Sequence, residues 1–188
     1  MGACGGTNVV EEGNKPKQID IINIMVRSIC EISIKTKDQK IKNGTGFFMN
    51  ISNSIRYLIT NYHVINPDII NEDIEIEIWN HKKMKLNLNN HNIKYFKEPK
   101  DITVIEIKNL DEIYKDIKFL DYDKNYKNGY EIYNNIDVFF INHPLGKSVE
   151  CARGKIIKIY DIEFEHNISI DNGSSGCPIM LLNDNNLI

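Results

Sequence analysis

From Ile21 onward the chain is a succession of short apolar runs cut by turn residues. Residues 73–79 alternate strictly, with Ile74, Ile76 and Ile78 on one face and Glu75 and Glu77 on the other, the period of a half-buried strand. Residues 46–51 and 55–60 predict a hairpin turning across Ser52-Asn53-Ser54, and 28–35 alternates in part before a turn at Asp38-Gln39. Residues 84–88, 93–96 and 102–107 continue the series. The stretch 109–129, rich in Asp, Lys and Tyr, reads as a connector. Strands resume at 136–141, 149–159, 164–170 and 178–182, and Leu187-Ile188 looks like the first step of another. Many short strands at close spacing predict an all-β sandwich or barrel rather than a helical or βαβ protein.

Composition narrows the class. Over 188 residues, 41% apolar and 26% charged is a globular balance that supports one sizeable domain or two small ones. A formal charge of −3, with a pI near 6.0, lacks the basic face that nucleic acid requires, so no nucleic-acid partner is expected. Cys4, Cys30, Cys151 and Cys177 are widely spread, without a CxxC or any metal-ligand spacing, so no metal and no structural disulfide are expected. The N-terminus lacks the apolar run of a secretory signal, and no stretch is long enough to cross a bilayer. A cytoplasmic protein with reduced thiols is the simplest account.

The first residues differ in character. Gly2 after the initiator Met is what N-myristoylation requires, and Cys4 is an acceptor for a palmitoyl chain. Two chains together would anchor the protein on the cytoplasmic face of a membrane, where one alone binds only marginally. The sixth position holds Gly6 in place of the usual Ser or Thr, and the alternative is a plain glycine-rich tail.

Three segments carry chemistry. They are Gly44-Thr45-Gly46-Phe47-Phe48 with Leu58-Ile59-Thr60-Asn61-Tyr62-His63-Val64, then Asp101-Ile102-Thr103-Val104-Ile105, then Gly173-Ser174-Ser175-Gly176-Cys177-Pro178-Ile179. A serine hydroxyl needs an adjacent base to become a nucleophile. A neutral histidine is that base, and a carboxylate fixes its tautomer and stabilises the imidazolium. Acyl transfer also needs donors aimed at the developing oxyanion, which the main-chain N–H groups of Gly173 and Ser175 can supply from a glycine-rich turn. Taken singly, His63 would be an ordinary surface or core histidine, Asp101 a strand cap and Ser175 part of a Gly-Ser turn. Their flanks and their order single them out.

The order His, Asp, Ser is that of the chymotrypsin fold, whereas α/β-hydrolases and subtilisins run differently. The first segment resembles the G-[ST]-G-F…LTN-x-HV stretch of HtrA-type and glutamyl-endopeptidase-type peptidases. Asp101 to Ile105 is similar to the D-[IL]-A-[VL]-[LI] strand start that carries the family's Asp. The third segment resembles G-[DNS]-S-G-[GS]-P-[IVL], and Asn142-His143-Pro144-Leu145-Gly146 with Gly154-Lys155-Ile156 resembles G-[YH]-P-x-G…G-x-[IV]. The resemblance covers about 21–188, in the family's own order.

It implies a trypsin-like serine endopeptidase built as two antiparallel β-barrels of the six-stranded type, with the site in the cleft between them. His63, Asp101 and Ser175 would form the triad, the substrate would be a protein or peptide, and no cofactor is implied. Family members line the S1 pocket just before the nucleophile, where this chain has Ser169 and Asp171. The expected division is a tail over 1–18, a first barrel over 19–112, a connector over 113–130 and a second barrel over 131–188, incomplete at its C-terminal end. Ser174 stands where secreted trypsins carry the Asp that receives the cleaved N-terminus, so zymogen activation by that route is not expected. Cys177 is read as small filler rather than nucleophile, His143 as a support for the turn before Pro144, Trp79 as a packing residue, and His81, His91 and His166 as surface residues. A catalytically silent, membrane-tethered binding module on the same fold is the alternative, and the intact His63, Asp101 and Ser175 count against it.

Overall fold

The computed structural model describes residues 24–52, 55–78, 83–108, 111–142, 150–161, 163–170 and 173–181. Among the described residues the regular structure is chiefly β-strand with short 3₁₀ turns, and the strands form two sheets. The first sheet contains β1 (Ile29–Lys35), β2 (Ile41–Ser52), β3 (Ile55–Thr60), β4 (Asp73–Ile78), β5 (Met84–Lys85), β6 (Ile93–Phe96) and β7 (Ile102–Glu106). Their spatial order is β5-β4-β1-β2-β3-β7-β6, all antiparallel, and β8 (Leu120–Asp121) adds a short parallel pairing to β2. The second sheet contains β9 (Asp137–Asn142), β10 (Glu150–Ile159), β11 (Phe164–His166) and β12 (Met180–Leu181), in the order β11-β10-β9-β12. The all-β class with two antiparallel sheets is thus as expected, with eight and four strands among the described residues in place of two sets of six.

Alternation places the core. On β4, Ile74, Ile76 and Ile78 are buried while the intervening Glu75 and Glu77 are not. They join Ile32, Ile34, Phe48, Leu58 and Ile105 in the interior of the first sheet. On β9 both faces are covered, so its sequence is a continuous apolar run rather than an alternating one. Val138 and Phe140 pack with Ile156 and Ile168 in the second sheet. Phe139 and Ile141 instead meet Ile29, Leu120, Met180 and the half-buried Phe47, an apolar seam that joins the two sheets.

The expected strand 178–182 is reduced to Met180–Leu181 among the described residues, and two others are shorter than their patterns suggest for a visible reason. Beyond Leu86, whose N–H still donates to Ile74 O at 2.9 Å, the chain leaves the sheet because the Asn87 side chain takes the N–H of Asn89 and starts a 3₁₀ turn. β11 stops at His166 because the side-chain oxygen of Asn167 accepts from Lys155 N at 2.7 Å, displacing a ladder carbonyl, while the His166 ring takes Ile168 N. Within 109–129, expected as connector, β8 returns to the first sheet.

Candidate active site

The approach to His63 depends on glycine. A Cβ on Gly44 would stand 2.6 Å from Val64 Cγ1, so only a bare Cα lets the residue after His63 pack against β2. Thr60, the last residue of β3, is buried and donates its hydroxyl to Thr45 O at 2.7 Å. The N–H groups of Val64 and Ile65 then both donate to Asn61 O, closing a tight turn with His63 on its outer side. The His63 side chain is 57% exposed.

Asp101 precedes β7 with a φ of 49°, left-handed backbone that is costly for most residues and better tolerated by Asp. Hydrogen bonds hold it there. Its carbonyl accepts from Tyr62 N at 3.1 Å and Asn61 Nδ2 at 2.9 Å. Its carboxylate accepts from the His63 N–H at 2.9 Å through Oδ1, and meets His63 Nδ1 at 2.6 Å through Oδ2. An ionised carboxylate only accepts, so the proton of that bond sits on Nδ1 and the neutral ring keeps a basic lone pair on Nε2. Thr103, buried two residues after Asp101, donates to Ile65 O at 2.6 Å and locks β7 to the far side of the His63 turn.

The third segment is a tight turn with positive φ at Gly173 (97°) and Gly176 (92°), closed by Cys177 N donating to Ser174 O at 2.9 Å. It docks on Thr45. Thr45 N donates to Ser175 O at 2.8 Å, and the Thr45 hydroxyl donates to Gly173 O at 2.7 Å. A Cβ on Gly176 would stand 1.9 Å from Thr45 O and 2.7 Å from Thr60 Oγ1. The Thr45–Thr60 pair that ends the His63 strand therefore also carries the Ser175 turn. Among the described residues no hydrogen bond links the Ser175 hydroxyl to His63. With Ser174 O committed to Cys177, the peptide plane between Ser174 and Ser175 is fixed, and the Ser175 N–H points away from that carbonyl.

Burial pushes the Cys177 thiol up to about 11, with a hydrogen bond between the thiol and the Thr45 side chain opposing the shift. Burial likewise raises Cys30. Both are thiols near neutral pH and neither has the depressed pKa of a cysteine nucleophile.

The remaining sequence expectations separate. Ser169 is exposed and outside any strand. Asp171, Gly2, Cys4, Trp79, His81 and the 143–146 segment lie outside the described residues. His166 is partly exposed, but His91 is not a surface residue as expected. Its side chain is only 5% exposed, with Nδ1 bonded to Glu106 O at 2.7 Å and 3.8 Å from Asp111 Oδ2. It closes the end of β7 opposite Asp101. Among the described residues no cluster of His, Cys, Asp and Glu could hold a metal, and no helix is long and apolar enough to cross a membrane. Thr45, Thr60 and Thr103 are the site residues whose roles the sequence left unstated. Their signal was a polar residue at an inward position of an apolar strand.

Comparison with known proteins places these features in context. The family model described as a trypsin-like peptidase domain matches residues 44–188. The solved structure of Deg5 superposes with a TM-score of 0.60 at 15% identity, over 88% of this chain and 78% of that one. The active form of the Rv3671c protease from M. tuberculosis gives a TM-score of 0.62 at 15% identity, over 99% of this chain and 80% of that one. No curated protein sequence matches the chain.

Proposed function

The chain belongs to the trypsin-like peptidase domain family, and from that premise we propose that it is a serine endopeptidase acting through His63, Asp101 and Ser175. The observation that carries the reading is the hydrogen bond of 2.6 Å between His63 Nδ1 and Asp101 Oδ2, on a ring whose other nitrogen is left basic. The docking of the Ser175 turn on Thr45, whose carbonyl accepts from Thr60 at the end of the strand that leads into His63, supports it further.

In this reading Nε2 of His63 takes the proton from the Ser175 hydroxyl as Oγ attacks the carbonyl carbon of a peptide bond. The carbonyl π electrons move to oxygen, and that oxyanion accepts from the N–H groups of Ser175 and Gly173. The oxyanion collapses, the C–N bond breaks, and the amine leaves with the proton that His63 returns to it. Water then attacks the acyl ester on Ser175 by the same proton route, releasing the carboxylic acid and restoring the serine. Asp101 orients the ring and stabilises the imidazolium in both halves.

The test is covalent labelling by a fluorophosphonate, which reacts with an activated serine. The expected result is stoichiometric labelling of Ser175, lost in Ser175→Ala and strongly slowed in His63→Ala. Labelling that survives Ser175→Ala, or a folded native chain that never labels, would sink the proposal.

A further inference from the structure

The segment 93–101 runs Ile93-Lys94-Tyr95-Phe96-Lys97-Glu98-Pro99-Lys100-Asp101 and brings positive charge to the edge of the candidate site. It does so through a tight turn. Lys97 O accepts from Lys100 N at 3.1 Å and from Asp101 N at 3.4 Å, so Lys97 is folded back against the residue that holds His63. The Lys97 ammonium lies 5.9 Å from the centre of the Tyr62 ring, and Tyr62 is the neighbour of His63. The Tyr62 ring is itself braced edge-on by Tyr95 at 6.3 Å. The Lys100 ammonium lies 5.7 Å from the Phe96 ring. Aromatic faces at these distances attract an ammonium and narrow the volume a lysine explores.

These cations are also uncompensated. Lys94, Lys97 and Lys100 are exposed, and among the described residues none of them has an ion-pair partner. Glu98 is exposed in the same turn without pairing to any of them. The carboxylate of Asp101 is spent on His63 through both oxygens. A chain of net charge −3 thus presents unpaired positive charge on the turn that leads into Asp101. Its charge would attract substrates opposite in sign and repel those alike.

Resting on the peptidase reading above, the geometry points to Lys97 as a specificity-determining residue that favours peptide substrates with acidic side chains near the scissile bond, with Lys100 adding to the same field. Lys97 contacts the substrate side chain and not the reacting atoms, so it alters which peptides bind.

The experiment measures binding apart from catalysis. Fluorescein-labelled peptides of one Ala-Ser framework, bearing Glu, Gln or Lys, are titrated by anisotropy on Ser175→Ala, on Ser175→Ala/Lys97→Glu and on Ser175→Ala/Lys127→Glu. Lys127 is an exposed lysine on the turn at Lys124–Asn128, and its reversal gives the same change in net charge. The Glu peptide should bind about three- to tenfold tighter than its Gln counterpart at low salt, with the advantage shrinking as salt rises. Lys97→Glu should invert the order of the Glu and Lys peptides, and Lys127→Glu should leave it unchanged. Equal binding of all peptides, no binding of any, or equal effects of the two reversals would overturn the assignment. Fluorophosphonate labelling of the native chain, run in parallel, reports on the peptidase reading alone. A chain that labels at Ser175 but binds peptides without regard to charge keeps that reading and loses this one.

Discussion

Thr45 holds the Ser175 turn at two points, donating its N–H to Ser175 O at 2.8 Å and its hydroxyl to Gly173 O at 2.7 Å. Thr45 is fully buried on β2 and belongs to the other sheet, so these bonds fix one half of the site to the other. Thr45→Val keeps the side-chain shape and removes the hydroxyl, which donates to Gly173 O and also bonds the Cys177 thiol. The lost bond should cost about 1–2 kcal/mol of stability. Fluorophosphonate labelling at Ser175 should slow by about tenfold, equivalent to about 1.4 kcal/mol. Thr45→Ser, which restores a hydroxyl, should recover most of the labelling rate. A Thr45→Val chain that labels at the native rate would show that the turn holds itself.

Asp101 supplies both an acceptor and a negative charge to the His63 ring, and an amide replaces only part of that. In Asp101→Asn the side-chain N–H₂ cannot accept from Nδ1–H, so the ring is driven toward the other tautomer. The turnover number should fall on the order of 10⁴-fold, the known consequence of that change in a Ser-His-Asp triad. The pair is substantially exposed, with side chains 57% and 26% accessible, so thermal stability should change by less than about 1 kcal/mol. Peptide turnover and melting temperature on the same preparation separate the two effects.

Gly176 has both a close contact and a backbone constraint. Its φ is 92°, and an added Cβ would meet Thr45 O at 1.9 Å, which is backbone and cannot swing away. Gly176→Ala must therefore push the Ser175 turn off Thr45. Labelling at Ser175 should drop below detection, and stability should fall by about 2–4 kcal/mol. Gly154→Ala is the informative contrast, because its nearest obstacle is the Asn167 side chain at 2.5 Å and not Thr45. It should weaken the second sheet at β10 while Ser175 still labels in the folded fraction.

Much of this arrangement was legible in the chain because strand patterning and local turn chemistry are short-range. The strict alternation of Ile74, Ile76 and Ile78 became a strand with that face buried, and the two strands of the expected hairpin, β2 and β3, pair antiparallel. The ends of β5 and β11 were not legible, because Asn87 and Asn167 stop them by side-chain hydrogen bonds that an apolar pattern does not encode. The enclosed side chain of His91 escaped for a similar reason: its partners, Glu106 O and Asp111, come from outside its own segment. The short motifs around His63, Asp101 and Ser175 were visible from residue types alone. The anchoring of the Ser175 turn by Thr45, 130 residues away, depends on tertiary docking, and nothing local announces it.

Cys177 stands two residues after Ser175 and offers a chemical check on which group is the nucleophile. Burial raises its thiol to about 11, so near neutrality it holds its proton and reacts slowly with alkylating reagents. Cys151 is exposed on β10. Iodoacetamide at about pH 8 should therefore modify Cys151 at least about tenfold faster than Cys177 in the folded chain. Denaturation should erase the difference, as read by peptide mass spectrometry. The same shift has a consequence for stability. A thiol whose folded pKa lies above its unfolded value near 9.0 stabilises the fold fully below that value. That stabilisation is lost as pH rises toward about 11, because the unfolded chain releases the proton first. Cys177→Ser should flatten the decline in melting temperature over this alkaline window while fluorophosphonate labelling at Ser175 persists. Loss of labelling in Cys177→Ser, with the melting temperature retained, would instead give the thiol a direct part in the chemistry.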